Sequence, residues 1–72
     1  MLTTNEKIVA LRHRHNLTQE AVAEKIGMSA PTFIDREKGR SYWRLDELNR
    51  LATVLEVPLK DLIGDCENET MQ

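Results

Sequence analysis

Cysteine is nearly absent from this sequence, since Cys66 is the single one, so no disulfide can form within the chain. A reduced compartment suits such a chain, because disulfides are typical of small secreted domains. The first residues lack the basic segment and apolar core of a signal peptide, and no apolar run approaches the ~18 residues that span a bilayer. We therefore expect a cytoplasmic protein without a membrane segment.

The sequence also lacks the residue groupings that catalysis and metal binding require. It has no Cys/His pair at a plausible site, no phosphate-binding glycine loop and no paired carboxylates with an obvious cleft. His13 and His15 lie two residues apart, so on a helix they point to different faces and do not easily share a metal. We expect no enzyme, no cofactor and no metal site, with both histidines on the surface.

Charge is spread unevenly over the 72 residues, whose formal net charge is −2. Residues 1–44 carry eight Lys/Arg against five Asp/Glu, whereas residues 45–72 carry two against seven. This asymmetry suits a basic binding face with an acidic remainder, and equally a group of carboxylates that only solvates the last helices. So short a chain forms one domain with a marginal core, which dimerisation would stabilise.

Helical spacing of apolar residues and helix-capping residues recur along the chain. Thr3 and Glu6 have capping-box spacing, which predicts a first helix over about residues 3–15. The strongest periodic signal predicts a fourth helix over about residues 45–55, with apolar side chains at i, i+3, i+4 and i+7. Its apolar face is formed by Leu45, Leu48, Leu51, Ala52 and Leu55.

A last short helix is predicted from Val57 and Pro58, because proline fits the first turn of a helix, and Gly64 ends it. Residues 65–72 have almost no apolar content and are expected to form a disordered acidic tail. Five helices without a strand pattern indicate an all-α domain over residues 1–64.

Residues 17–39 organise the rest of the chain, because they predict two short helices joined by a tight turn. Thr18 is a good N-cap for the first of these helices, and Ser29 can cap the second. Gly27 stands where a left-handed residue is needed after the first helix, and Gly39 ends the second. The pattern is that of a helix-turn-helix, although two helices around a turn also occur in small proteins that bind no nucleic acid.

The loop that follows, residues 40–43, is both basic and aromatic, with Lys38 before it and Arg44 after it. Guanidinium and ammonium groups bind phosphates, and the Tyr hydroxyl and Trp N–H are donors that can do the same. In the alternative interpretation, Tyr42 and Trp43 cover the edge of a small core.

From about Ile8 to Ile63, the chain resembles the Cro/cI (XRE-type) helix-turn-helix family. The matching residues are Ile8, Leu11 and Arg12; Leu17-Thr18-Gln19-Glu20 with Val22 and Ala23; Ile26-Gly27-Met28-Ser29; Thr32 and Phe33 with Glu37 and Gly39; and Leu48, Leu51, Ala52, Leu55, Val57, Asp61 and Leu62. The resemblance implies a five-helix, lambda-repressor-like fold whose second and third helices form the DNA-reading unit.

The resemblance also implies roles for individual residues. Gln19 matches a position that contacts the DNA backbone at the start of the second helix and braces the third. Arg12 and Glu37 match a partly buried ion pair between the first helix and the end of the third, which we expect because charges are rarely buried without partners. The alternative places both side chains in solvent.

The base-contacting positions of the family fall on Ala30, Pro31, Ile34 and Asp35, none of which offers the bidentate hydrogen bonds of Arg, Lys, Gln or Asn. The three apolar residues can pack on thymine methyls, and Asp35 can accept a hydrogen bond from cytosine N4. Arg36 completes the base-facing set, either by swinging to the groove edge or by covering the core with its stem. The side chains expected to hold phosphates are Gln19, Ser29, Thr32, Lys38, Arg40, Ser41 and Arg44.

We therefore expect a sequence-specific regulator of transcription that binds double-stranded DNA. We expect a repressor that acts as a homodimer, with the third helix in the major groove and Leu59 and Ile63 at the dimer surface. The alternative is a protein-interaction module on the same fold, antitoxin-like or an adaptor, with weak or no DNA binding. The weak reading helix and the acidic second half favour this alternative.

Overall fold

The computed structural model describes residues 3–63, and within that range the chain is all-helical. Its helices are α1 (Thr4–Arg14), α2 (Gln19–Lys25), α3 (Ala30–Glu37) and α4 (Leu45–Leu55), followed by a fifth helix, α5, described over residues 59–63. The predicted five-helix, all-α architecture is confirmed. Gly64 and the tail expected over residues 65–72 lie outside the described residues. None of the helices so described is both long and apolar enough to cross a membrane.

Side-chain caps start the first three helices, as predicted. The Thr3 hydroxyl accepts a hydrogen bond from the Glu6 N–H at 3.2 Å, and the Glu6 carboxylate accepts one from the Thr3 N–H at 2.9 Å. These two bonds make the predicted capping box. Thr18 and Ser29 cap α2 and α3, each with a side-chain oxygen that accepts a backbone N–H.

A left-handed residue follows each of the four complete helices: Asn16 (φ 58°), Gly27 (φ 76°), Gly39 (φ 85°) and Glu56 (φ 61°). This conformation turns the chain sharply and lets the next amides satisfy the last carbonyls of the helix. At Gly27 and Gly39 the absence of a Cβ removes its steric cost. The left-handed turn expected at Gly27 is confirmed.

The core lies where the helices converge. Its buried apolar residues are Ile8, Val22, Ala23, Ile26, Phe33, Leu48, Leu51, Ala52, Leu55 and Leu62. Each helix thus contributes at least one side chain, which is how a chain of this size removes enough apolar surface from water to fold.

One apolar residue, Leu45, lies elsewhere than the sequence predicted. Leu45 is 65% exposed, although its spacing placed it on the buried face of α4. It is the first residue of α4, and helical side chains lean toward the N-terminus, so this one projects past the packed part of the helix. Leu59 and Ile63, which were also named as the dimer surface, are half-buried and pack against the core, as expected for side chains that point inward from the last helix.

His15 also differs from the prediction, since it is half-buried rather than on the surface. Its Nε2 lies 2.9 Å from the carbonyl oxygen of Leu55, the last residue of α4. The turn at Asn16 brings the imidazole to the end of α4, where carbonyls lack partners within the helix. His13 is exposed, as expected.

Candidate nucleic-acid interface

The turn between α2 and α3 is held from behind by α4. Arg50 Nη1 donates to the carbonyl oxygen of Ile26 at 2.7 Å, where α2 ends. A Cβ built on Gly27 would lie 3.7 Å from the same guanidinium, which is an ordinary contact. The positive φ, rather than a lack of space, therefore calls for glycine in this turn. The turn is supported by its left-handed backbone geometry and by one arginine of α4.

The outer face of α3, formed by Ala30, Pro31, Ile34, Asp35 and Lys38, remains open in the part of the chain that the structure describes. Pro31 and Lys38 are exposed, and the other three residues are half-buried. The opposite face buries Phe33 and Glu37 in the domain. The helix therefore presents to solvent the four positions matched to base contacts, and it anchors itself through the other side.

Arg12, Gln19 and Glu37 join three helices in one buried network. Arg12 Nε lies 2.9 Å from Glu37 Oε2, and the side chains of the pair are only 11% and 4% exposed. Gln19 Nε2 donates to Glu37 Oε1 at 2.7 Å. The ion pair expected between α1 and the end of α3 is present, and so is the bracing contact from Gln19. The network fixes α3 relative to both preceding helices, because each polar partner of the buried carboxylate comes from a different helix.

Arg36 points away from the outer face and makes a bidentate ion pair with Glu47 of α4. The distances are 2.9 Å from Nε to Oε1 and 3.1 Å from Nη2 to Oε2, and the side chains are 18% and 10% exposed. The sequence left two placements open for the Arg36 side chain, at the groove edge or over the core. In the structure the side chain lies against the protein. The structure does not bring Arg36 to the base-facing group, because the buried Glu47 carboxylate attracts its guanidinium to α4.

The electrostatics of Glu47 follow from these contacts. Burial raises the pKa of its carboxyl, but hydrogen bonds from the Arg36 side chain and the Arg44 N–H outweigh burial and leave the pKa below its usual value. The Arg44 N–H lies 2.9 Å from Glu47 Oε1, so the carboxylate also caps the start of α4. The pair of Glu47 with Arg36 was not predicted from the sequence.

The residues predicted to hold phosphates lie around α3. Ser29 and Thr32 stand at its N-terminus, where their hydroxyl oxygens are 2.8 Å apart. Lys38, Arg40 and Arg44 are exposed beyond its C-terminus, and Ser41 is half-buried between them. Gln19 reaches the same C-terminal end through Glu37. The described structure thus has hydroxyl donors at one end of α3 and cations at the other.

The aromatic residues of the loop separate into two roles. Trp43 Nε1 donates to Asn5 Oδ1 at 2.7 Å, and the Trp43 ring meets Phe33 edge-on with centroids 5.6 Å apart. Tyr42 is 94% exposed. The alternative in which both rings cover the core therefore holds for Trp43 and is wrong for Tyr42. Among residues 3–63, no group of three or more His, Cys, Asp or Glu side chains is placed to hold a metal ion.

Comparison with known proteins adds an independent finding. Residues 8–62 match a family described as a helix-turn-helix domain. A relative from Vibrio cholerae, described as the cryptic phage CTXphi transcriptional repressor RstR, is 36% identical over 63 residues. The aligned segment is 88% of this chain and 57% of that relative, so the chain spans just over half of the relative's length.

Proposed function

The chain belongs to the Cro/cI-type helix-turn-helix family, and from that premise we propose that it is a sequence-specific regulator of transcription that binds double-stranded DNA. The observation that carries this proposal is the open outer face of α3, with exposed Lys38 and Arg40 at its end. The relative's description as a transcriptional repressor supports repression as the sign of regulation.

In the proposed complex, α3 enters the major groove, whose width admits an α-helix. Lys38, Arg40 and Arg44 bind phosphates on one side of the groove. The hydroxyls of Ser29 and Thr32 face phosphates at the other end of the helix. The buried contacts of α3 to α1, α2 and α4 hold it as a rigid reading element, so little conformational entropy is lost when it docks.

Binding as a homodimer is part of the proposal, because two copies reach half-sites about one helical turn, ~34 Å, apart. Tyr42 and Leu45 support a self-association surface, since they are 94% and 65% exposed and lie three residues apart where α4 begins. They are the exposed large apolar side chains of the described residues, and exposed apolar surface of this kind can form an interface. We expect sedimentation equilibrium to detect a dimer that Leu45→Lys weakens. A wild-type protein that stays monomeric at high concentration would contradict this part.

Salt-dependent binding to DNA tests the central proposal. Wild-type protein is titrated with labelled genomic and random-sequence duplexes, starting at about 50 mM salt, where phosphate contacts contribute most to affinity. Lys38→Gln should weaken binding to all duplexes. It should also make the fall of log K with log salt less steep, reducing the magnitude of the slope by about one. Lys60→Gln is the matched control, because it removes one exposed lysine from α5 and should leave the slope unchanged. The proposal fails if no duplex is bound at the lowest salt.

A second candidate is the protein-interaction module. The exposed Tyr42 and Leu45 favour it, as does an outer face of α3 from which Arg36 is held back by Glu47. A stoichiometric protein partner that co-purifies with a chain lacking all affinity for DNA would select this candidate.

A further inference from the structure

The hydrogen-bonding capacity of the four base-facing positions of α3 is small, and it is of one kind. Ala30, Pro31 and Ile34 are apolar, so at the four base-facing positions only Asp35 carries a polar side chain. Arg36, the nearest strong donor on the helix, is held by Glu47 in a bidentate pair. A carboxylate accepts hydrogen bonds and cannot donate them when it is ionised. Whatever base these four positions read by hydrogen bonding must therefore offer a donor.

The end of α3 places Arg40 directly against Asp35. The Arg40 N–H donates to the Asp35 carbonyl oxygen at 2.9 Å, and the Gly39 N–H donates to the Arg36 carbonyl oxygen at 3.1 Å. These are the two bonds of a Schellman motif, with Gly39 in the left-handed position. The motif carries the side chain of Arg40 back over the helix, where its Nη1 lies 3.2 Å from Asp35 Oδ1.

A carboxylate at a DNA surface is repelled by the phosphates, and the contact with Arg40 reduces this repulsion. Both side chains are about half-exposed, at 47% for Asp35 and 66% for Arg40, so the pair faces solvent as a unit. The guanidinium offsets the negative charge and holds Oδ1. Within residues 3–63 no second hydrogen bond to this carboxylate is formed, so Oδ2 remains available as an acceptor on a half-exposed side chain.

We propose that Asp35, positioned by Arg40, selects cytosine at one position of each half-site by accepting a hydrogen bond from the N4 amino group. This inference rests on the proposed DNA-binding function. Guanine and thymine present only acceptors at the corresponding major-groove positions, so they repel the carboxylate. In the duplex, the adenine N6 amino group has an acceptor on each side, its own N7 and the O4 of the paired thymine, whereas cytosine N4 has an acceptor on one side only, the O6 of the paired guanine. Among the four bases, cytosine therefore attracts the carboxylate with the least repulsion from neighbouring acceptors.

Selection from a random-sequence duplex library, done in parallel with wild type and variants, tests the assignment. Wild-type protein should enrich half-sites with one fixed C·G pair, and replacing that pair by T·A should weaken binding ~10-fold. Asp35→Asn should change the selected base at that position to adenine, because an amide bonds both N6 and N7. Asp35→Ala should lose the base preference at that position and keep the base preferences at the other positions of the half-site. Asp46→Asn is the matched control, since it removes an exposed carboxylate on α4 and should leave the enriched sequence unchanged.

The outcomes distinguish cytosine selection by Asp35 from the DNA-binding function on which it depends. Suppose that the wild type binds duplexes and that Asp35→Asn and Asp35→Ala both enrich the same sequence as the wild type. The cytosine assignment is then overturned, and the regulator proposal stands. If no duplex is bound at all, both are overturned. Arg40→Gln tests the positioning role, because it should lower the ratio of affinities for the C·G and T·A sites as well as the overall affinity. An unchanged ratio in Arg40→Gln overturns the role given to Arg40.

Discussion

Arg36 of α3 and Glu47 of α4 form a two-point ion pair whose side chains are 18% and 10% exposed. The same carboxylate accepts the Arg44 N–H, so one residue both starts α4 and fixes α3 against it. The pair has a consequence for recognition as well as for folding. It removes a guanidinium from the groove-facing side of the proposed reading helix and leaves a face of apolar residues around Asp35.

Glu47→Gln should destabilise the domain by about 2–3 kcal/mol, because the Arg36 guanidinium would remain nearly buried without its charged partner. Urea unfolding followed by circular dichroism measures the loss. Asp46→Asn is the control, since it removes the neighbouring carboxylate of a solvent-exposed pair with Arg50 and should move the midpoint little. Equal shifts in the two variants would contradict a special role for Glu47.

The stability of the wild type should depend on pH through Glu47. The folded state lowers the pKa of this carboxyl below its ordinary 4.5, so the unfolded chain binds the proton more readily. The contribution of the ion pair is therefore fully present above about pH 4.5 and is lost as the pH falls through the lower folded pKa. Urea midpoints at a series of pH values should show wild type and Glu47→Gln converging in acid. A constant difference down to about pH 3 would exclude this linkage.

Arg12→Met should cost about 3–5 kcal/mol, because it leaves the 4%-exposed Glu37 carboxylate without its cation. The double variant Arg12→Met with Glu37→Met should recover much of that loss, since apolar side chains of similar size often replace a buried pair without penalty. Unfolding free energies of the wild type, both single variants and the double variant provide the test. A double variant no more stable than Arg12→Met would mean that the cost comes from lost packing rather than from an unpaired charge.

The sequence predicted the helix starts well because they depend on local chemistry. Thr3, Thr18 and Ser29 each cap the helix that immediately follows, and no distant residue is needed to decide the outcome. Burial was harder to predict at the ends of elements. Leu45 fits the period of α4, but its exposure depends on how far the neighbouring helices extend beside it.

Contacts between helices were predicted only where the family resemblance supplied them. It gave the pairing of Arg12 with Glu37, whereas Arg36 with Glu47 and His15 with Leu55 were missed. These missed contacts join residues 11 and 40 positions apart, so they depend on the packing angles of α1, α3 and α4. For Glu47, one local signal was available in the sequence. Glu47 lies three residues after the N-cap of α4, where a glutamate bonds the start of its helix.

Glu56→Gly should stabilise the domain by about 0.5–1 kcal/mol, because Glu56 has φ 61° after α4 and a left-handed conformation is costly for a residue with a Cβ. Glu56 also places a negative charge at a helix C-terminus, where the helix dipole disfavours it. Asn16→Gly is the matched comparison, with φ 58° after α1, and it should gain less because asparagine tolerates this conformation. Urea midpoints at neutral pH measure both changes. A lower midpoint for Glu56→Gly would show that backbone entropy lost by glycine, rather than strain at residue 56, decides the stability of this turn.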